Sequence, residues 1–180
     1  MREPKSTDKC RLVQVTEALL PQIREYRAAF QYRENDLYGT SGLKRYTDMH
    51  KWYAHVQKRL PGKEHPSGDV PSIQFAYVRD RDRKVVGMLV IRTEDTPHGH
   101  IGYSVAPNER KNGYGSCMLR DALTYCAEQL NLPEVTVTIA AKNGASQCVA
   151  RNNEGVFTGF IWLNEQMTAT YKFKLKPDEP

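Results

Sequence analysis

The chain has 180 residues, 39% hydrophobic and 26% charged, with a formal net charge of +5. This length suits one domain spanning residues 1–180 with a sizeable core. No apolar run approaches the ~20 residues of a membrane-spanning helix, and the opening MREPKSTDKCR lacks the apolar core of a signal peptide, so cytoplasmic residence is expected.

A first strand is expected at Arg11 to Val15. Thr16 can then cap a helix carrying Leu19, Ile23, Tyr26 and Phe30 on one face, with Pro21 in its first turn. Ser41 reads as the cap of a second helix, with Leu43, Tyr46, Met49, Tyr53, Val56 and Leu60 on one face and Pro61 at its end. Trp52 and the tyrosines of that segment could line a pocket, but a core stripe is the simpler reading. Pro61 to Pro71 reads as a loop rich in Pro and Gly. Ile73–Val78 and Val85–Ile91 read as strands joined by the sign-alternating RDRDRK, a solvated hairpin turn. The nearly continuous apolar run VVGMLVI suggests a strand covered on both faces.

Gly99–Val105 is the next strand, and a helix with Leu119, Ala122, Leu123, Cys126 and Leu130 at helical spacing follows. Val135, Val137 and Ile139 alternate with threonines as in a strand, and Asn143 to Asn153 reads as a short helix ending at Gly155. Val156–Leu163 and Thr168–Leu175 pair as a hairpin around Asn164–Glu165. This order specifies an α+β or three-layer α/β arrangement with a largely antiparallel sheet. Cys10, Cys117, Cys126 and Cys148 show no CxxC spacing and no matching histidine pairs, so they read as reduced thiols. The positive charge favours an anionic partner, but no aromatic-and-basic stripe points to nucleic acid.

The stretch GHIGYSVAPNERKNGYG, Gly99 to Gly115, is the most informative. It reads as a strand, a Pro-led turn and a basic, glycine-punctuated loop opening a helix. Helix N-termini present unpaired N–H groups and a positive dipole end, so this segment suits a pyrophosphate. No GxxxxGK[ST] string occurs, which excludes a Walker A loop. Gly113-x-Gly115 is followed by Met118 where a dinucleotide fingerprint needs glycine, and Glu134 falls before its strand.

Arg110-Lys111-Asn112-Gly113-Tyr114-Gly115 resembles the R/Q-x-x-G-x-G/A string of the GNAT N-acetyltransferase superfamily. Tyr103-Ser104-Val105 before Ala106-Pro107 resembles the strand end that precedes this loop, and Asn143 with Ser146 resembles the N-x-x-A/S opening of the family's next helix. The likeness extends through DVPSIQFAYVRDRDRKVVGMLVIR and Asn153–Val156, roughly residues 20 to 175. It implies an α/β (α+β) fold, a mixed, mostly antiparallel central sheet with helices on both faces. Two central strands would part at a bulge. It also implies acetyl-CoA as co-substrate. The backbone of Tyr103, Ser104 and Val105 would pair with the pantetheine arm. Lys111, Asn112, Gly113, Tyr114, Gly115 and Ser116 would hold the pyrophosphate through N–H groups, with Arg110 adding charge. Asn143 and Ser146 would contact the arm near the thioester.

The reaction implied is direct attack by a small-molecule or protein amine in a ternary complex, with no metal, and the resemblance allows a homodimer. His100 is the candidate base, beside the reading of an ordinary strand histidine, and Glu94 is second. His98 and His100 would share a strand face, yet two ligands make no metal site. Many relatives protonate the leaving thiolate with a tyrosine seven residues after the asparagine; this chain has Ala150 there. Tyr171 and Tyr103 are available instead. The missing tyrosine leaves a non-catalytic acyl-CoA-binding sensor or interaction module as the alternative.

Overall fold

The structure, a computed structural model, describes residues 8–63 and 70–175. The middle of the expected Pro61–Pro71 loop and most of the N-terminal segment lie outside the described residues. A four-stranded antiparallel sheet has the order β1–β2–β3–β4, with β1 Cys10–Gln14, β2 Ser72–Arg79, β3 Val85–Arg92 and β4 Ile101–Val105. A three-stranded antiparallel sheet has the order β5–β7–β6, with β5 Glu134–Ala140, β6 Val156–Leu163 and β7 Gln166–Lys174. The helices are α1 Leu20–Ala28, α2 Met49–Lys58, α3 Tyr114–Glu128 and α4 Gly144–Asn152. The α+β class, the mostly antiparallel pairing and the helices on both faces agree with expectation, the sheet parting into these two portions.

Strand periodicity explains the layering. Successive residues of a strand face opposite sides, so Ile73, Phe75 and Tyr77 of β2 pack with Met118, Leu119 and Ala122 of α3. Ala76 and Val78 pack on the other side with Ile23 and Tyr26 of α1 and Trp52 of α2. Both faces of β3 are covered, which accounts for its unbroken apolar run. Between Tyr77 and Val78 the register slips, because β3 advances from Gly87 to Val85 across one step of β2. That bulge sends Val86 to the α3 side and Val85 to the other.

The helix expected from Ser41 to Leu60 is shorter. Ser41 (φ 47°) and Gly42 (φ 75°) make a left-handed turn, and Leu43–Arg45 form one 3-10 turn. The α2 helix starts where the Asp48 carboxylate accepts the N–H groups of His50 (2.8 Å) and Lys51 (3.4 Å). An anionic cap complements the helix dipole better than a hydroxyl would. Trp52 is fully buried and donates its indole N–H to Thr40 O (2.9 Å), so it belongs to the core and not to a pocket. Thr16 precedes a 3-10 turn, Glu17–Leu19, without a side-chain capping bond, and Pro21 falls in the first turn of α1.

The RDRDRK hairpin forms, but its first arginine is not solvated. Arg79 is 5% exposed and lies beneath the glycine loop. The β6–β7 hairpin turns on Asn164 (φ 47°) and Glu165 (φ 59°), both left-handed as a two-residue type I′ turn demands.

One close backbone approach shapes the later cleft. Gly39 has φ 68°, and a Cβ built there would lie 2.1 Å from Gly102 O of β4. Buried Gln74 holds this segment down: its Nε2 donates to Gly39 O (2.8 Å) and Leu89 O (2.9 Å), and its Oε1 accepts from Ser41 Oγ (2.7 Å). Gly62 has a similar φ, 81°, with no described atom within 4 Å of the position of a Cβ. Gly62→Ala is therefore expected to cost about 1 kcal/mol for its left-handed backbone alone. Gly39→Ala is expected to cost severalfold more, because the backbone itself obstructs the new atom. Urea unfolding of both variants checks this; equal losses would mean that the segment gives way freely.

Candidate functional site

The two sheets meet at one seam and then part. Gly99 forms an isolated bridge with Val137, and His100 N–H donates to Thr136 O at 2.7 Å. Beyond that seam, β4 pairs only with β3, from Ile101 opposite Ile91 to Val105 opposite Gly87. The other edge of β4 faces a cleft of about 250 Å³. Ile101, Gly102 and Tyr103 form one wall and Val137 to Ala140 the other, with Asn143 and Ser146 adjoining. The family resemblance implied parting at a bulge. Here the strands part after left-handed Gly99 (φ 67°), and the register shifts lie within β2–β3 and β6–β7.

Past β4 the chain makes a 3-10 turn, Pro107–Glu109, then a loop with Lys111 (φ 68°) and Gly113 (φ 84°) left-handed. The α3 helix opens at Tyr114 with no side-chain capping bond. Left-handed residues directly before a helix turn successive N–H groups toward one point, a nest for an anion. Gly115 lies against Val105 and Val149, where a Cβ would meet them at 3.7 and 3.4 Å. The Ser116 N–H already bonds Gly113 O (3.1 Å), so it is spent within the helix and not offered to a ligand.

The motif side chains mostly turn inward. Arg110 Nε donates to Val105 O (3.2 Å), its Nη2 pairs with Asp36 (3.3 Å), and its guanidinium lies 6.0 Å from the Phe30 ring centre. The expectation that Arg110 lends a free charge to the anion is thereby corrected: its charge ties the loop to the α1–α2 connection. Tyr114 Oη accepts from Arg79 (3.0 Å) and donates to Asp8 (2.9 Å), while Asn112 Nδ2 donates to Glu109 O (3.2 Å). Ser104 Oγ donates to Tyr38 O (2.5 Å) and lies 2.9 Å from Tyr26 Oη. What remains for a ligand is backbone and the exposed side chain of Lys111.

An ion network fixes the loop from below. Arg79 reaches Glu109 at 2.9 Å and Asp82 at 2.6 Å, and Lys84 reaches Glu109 at 2.6 Å. Burial favours the neutral form of Glu109, but the bonds from Lys84 and Arg79 outweigh it and hold its pKa below the usual carboxylate value.

The candidate chemical groups separate. The Thr136 N–H donates to His100 Nδ1 at 3.1 Å, so the neutral ring carries its proton on Nε2 and has no free lone pair. Burial also depresses its pKa. His100 does not line the cleft; it clasps the two sheets, and the base reading of this residue is corrected accordingly. His98 does line the cleft, so the two histidines share no face. Glu94 is exposed and away from the cleft wall.

Asn143 caps α4, its Oδ1 accepting the Ser146 N–H (3.1 Å), and Tyr103 Oη donates to Ser146 O (3.3 Å). Burial pushes the Tyr103 phenol well above its ordinary pKa, so it keeps its proton. Tyr171 is fully buried, bonded to Gln147 (3.1 Å) and Arg151 (3.0 Å), and Ala150 is core. Of the two tyrosines considered from sequence, Tyr103 alone lines the cleft. Sequence reasoning missed Arg92 as a lining residue and undervalued His98; no motif marks either.

An uncapped helix start beside an unpaired strand edge defines a protein built to take a long ligand that has amides and a phosphate. The family model for the acetyltransferase (GNAT) domain matches residues 10–155, and the chain belongs to that family. The family uses acetyl-CoA as co-substrate. No curated protein matches the chain by sequence. Among solved structures, the chain is similar to RimL, a ribosomal L7/L12 alpha-N-protein acetyltransferase in complex with coenzyme A, at 19% identity and TM-score 0.71. That match covers 95% of this chain and 96% of the other. An acetyltransferase from Salmonella typhimurium that modifies the N-terminal serine of L7/L12 matches at 20% identity and TM-score 0.66, covering 95% and 97%. Spermidine N-acetyltransferase from Vibrio cholerae, in complex with CoA and spermine, matches at 14% and 0.66, covering 92% and 95%. At these identities the likeness to the structures concerns the fold.

Glu109→Gln tests the network under the loop. Leaving Arg79 buried without its full partner is expected to cost about 3 kcal/mol at neutral pH. Because the folded pKa of Glu109 is depressed, its stabilisation is complete above the ordinary carboxylate pKa of about 4.3 and is lost as pH falls through the folded value. The gap between wild type and variant in urea unfolding should therefore be constant from neutral to mildly acid pH and narrow below about pH 4. A variant equal to wild type throughout would remove the network from the account of the loop.

Proposed function

We propose that this chain is an N-acetyltransferase that moves an acetyl group from acetyl-CoA to a primary amine by direct attack in a ternary complex. The observation that carries the reading is the unpaired edge of β4 opening into a cleft beside the uncapped start of α3. The N–H and C=O of Tyr103 and the N–H of Val105 alternate toward the open edge and would take amides of the pantetheine arm. The backbone of Ser104 faces Met88 of β3, so Ser104 leaves the expected set. The N–H groups from Lys111 to Gly115 would take the pyrophosphate, and Asn143 and Ser146 would border the thioester. Bound acetyl-CoA supplies the activated acetyl group.

Within that reading, the protein holds a proton at Tyr103 Oη for the departing thiolate, the role for which Ala150 has no group. With the His100 lone pair occupied, His98 is the histidine placed to take a proton from the amine. Related folds act on a protein N-terminus or on spermidine, so an amine acceptor is common ground between them. The second reading, a non-catalytic acyl-CoA-binding module, draws on Ala150; binding of acetyl-CoA without transfer to any amine would favour it.

Thermal unfolding beside acetyl-CoA, NAD and ATP tests the cofactor. A ligand confined to the folded state adds about 2.7 kcal/mol at a hundredfold excess over Kd, which for a chain of this size raises Tm by roughly 5–10 °C. Acetyl-CoA alone should do so, and Gly113→Glu, which sets a carboxylate in the nest, should abolish the shift. No shift in the wild type would end the proposal.

Tyr103→Phe should keep the acetyl-CoA shift while lowering kcat about 10²-fold or more. An unchanged kcat would assign the proton to water or another group.

A further inference from the structure

The cleft carries a charge that amine acetylation leaves unused. Arg92 ends β3 at the same strand parity as Met88, which packs with α1 and α2, and alternates with Leu89 and Ile91, which pack with α3. It lines the cleft. Its Nη1 donates to Gly99 O at 3.2 Å, and among the described residues no aspartate or glutamate pairs with it. A guanidinium presents five N–H donors in a planar fork, so most of its donors make no hydrogen bond among the described residues. Burial, and then the nearby charge of Arg59, push its pKa down. Such a cation is costly while it lacks a counter-charge and is relieved when one arrives.

The rest of that wall fits the same ligand. His98, Asn164, Gln166 and Thr168 supply polar groups, and no aspartate or glutamate lines the cleft among the described residues. A polyamine would meet Arg92 as a like charge, with nothing opposite to hold its other ammonium groups. The phosphate nest cannot account for Arg92 either. The nest follows the Val105 end of β4 while Arg92 N–H bonds His100 O before its other end, a separation of about 17 Å along the strand.

We infer that the acceptor is an amine that also carries a carboxylate, and that Arg92 holds this carboxylate through paired N–H groups while the amine reaches the acetyl group. The inference rests on the acetyltransferase reading above and names its substrate class. A free amino acid and an acidic peptide N-terminus share this chemistry.

The probes are γ-aminobutyrate, γ-aminobutyramide and putrescine, whose far ends are anionic, neutral and cationic at matched length. A tripeptide pair with glutamate or glutamine in second place distinguishes the peptide source. In the wild type, kcat/KM for the better carboxylate probe should exceed that of its amide about 10- to 100-fold, the range of a hydrogen-bonded ion pair. Putrescine should be the poorest. Arg92→Gln should bring the carboxylate-to-amide ratio near one while the acetyl-CoA shift in Tm persists, and Arg92→Lys should restore part of the ratio.

Should no probe turn over, calorimetric binding of the same probes to the CoA-loaded protein reads the same ratio. Equal values for carboxylate and amide, preference for putrescine, or an unchanged ratio in Arg92→Gln would each overturn the inference. Where acetyl-CoA still stabilises the protein in those cases, the carboxylate subsite alone falls; where it does not, the transferase reading falls with it.

Discussion

Everything distinctive in this molecule follows from a strand edge that the fold declines to pair. Backbone N–H and C=O groups inside a protein need partners, and an open edge is usually hidden or blunted. Here β4 is satisfied by β3 on one side and left open on the other. The seam with β5 is stopped by two adjacent residues. Gly99 takes a left-handed turn so close to β5 that a Cβ would lie 2.6 Å from Thr136 O. His100 next to it accepts the Thr136 N–H on its ring. A backbone donor that could have continued the ladder is thus spent on a side chain, and the sheets part. His100 matters to the cleft as its hinge pin, without touching what the cleft holds.

The charges around the glycine loop obey the same economy. Arg79, Glu109, Lys84 and Asp82 lock the turn before the loop from beneath, and Arg110 ties it to Asp36. These side chains do not reach for a ligand; they hold a backbone in a shape with left-handed Lys111 and Gly113. A non-glycine residue at φ 68° persists only where its surroundings hold it. The product is a rigid cradle of N–H groups, preorganised before any anion arrives.

Much of this was legible in residue order. The alternation in β5, the doubly apolar β3 and the strand–loop–helix string are local patterns, and local patterns survive folding. Side-chain destinations were not legible. His98 and His100 should share a face by strand parity, but left-handed Gly99 between them breaks the parity and sends one to the cleft and the other to the seam. Arg79 belongs by sequence to a solvated charged turn; Asp82 in that turn pairs with it, and the return of Glu109, thirty residues later, completes the partnering of its buried guanidinium. Ser41 was a plausible helix cap until Gln74 claimed its hydroxyl from across the sheet. Asp48, seven residues on, capped the helix instead. The Arg79 and Ser41 misses arise from partners distant in sequence, where periodicity carries no information, and the histidine miss from one left-handed glycine that interrupts the period.

The nest and the cleft wall are built on opposite principles, and this bears on how one fold serves unlike acceptors. The nest beside α3 uses main-chain donors, which almost any substitution leaves in place. The wall at Arg92 uses a side chain, and a single replacement there changes its sign. A main-chain site suits the part of the reaction that is the same for every member, and a side-chain site suits the part that differs. This is consistent with the same fold appearing, at 20% identity or less, in an enzyme that modifies a protein N-terminal serine and in one that acetylates spermidine. On the proposed reading, recognition of the co-substrate would reside in backbone shape and so tolerate drift. The choice of acceptor would then reside in a few lining charges, in this chain an arginine that no motif announces.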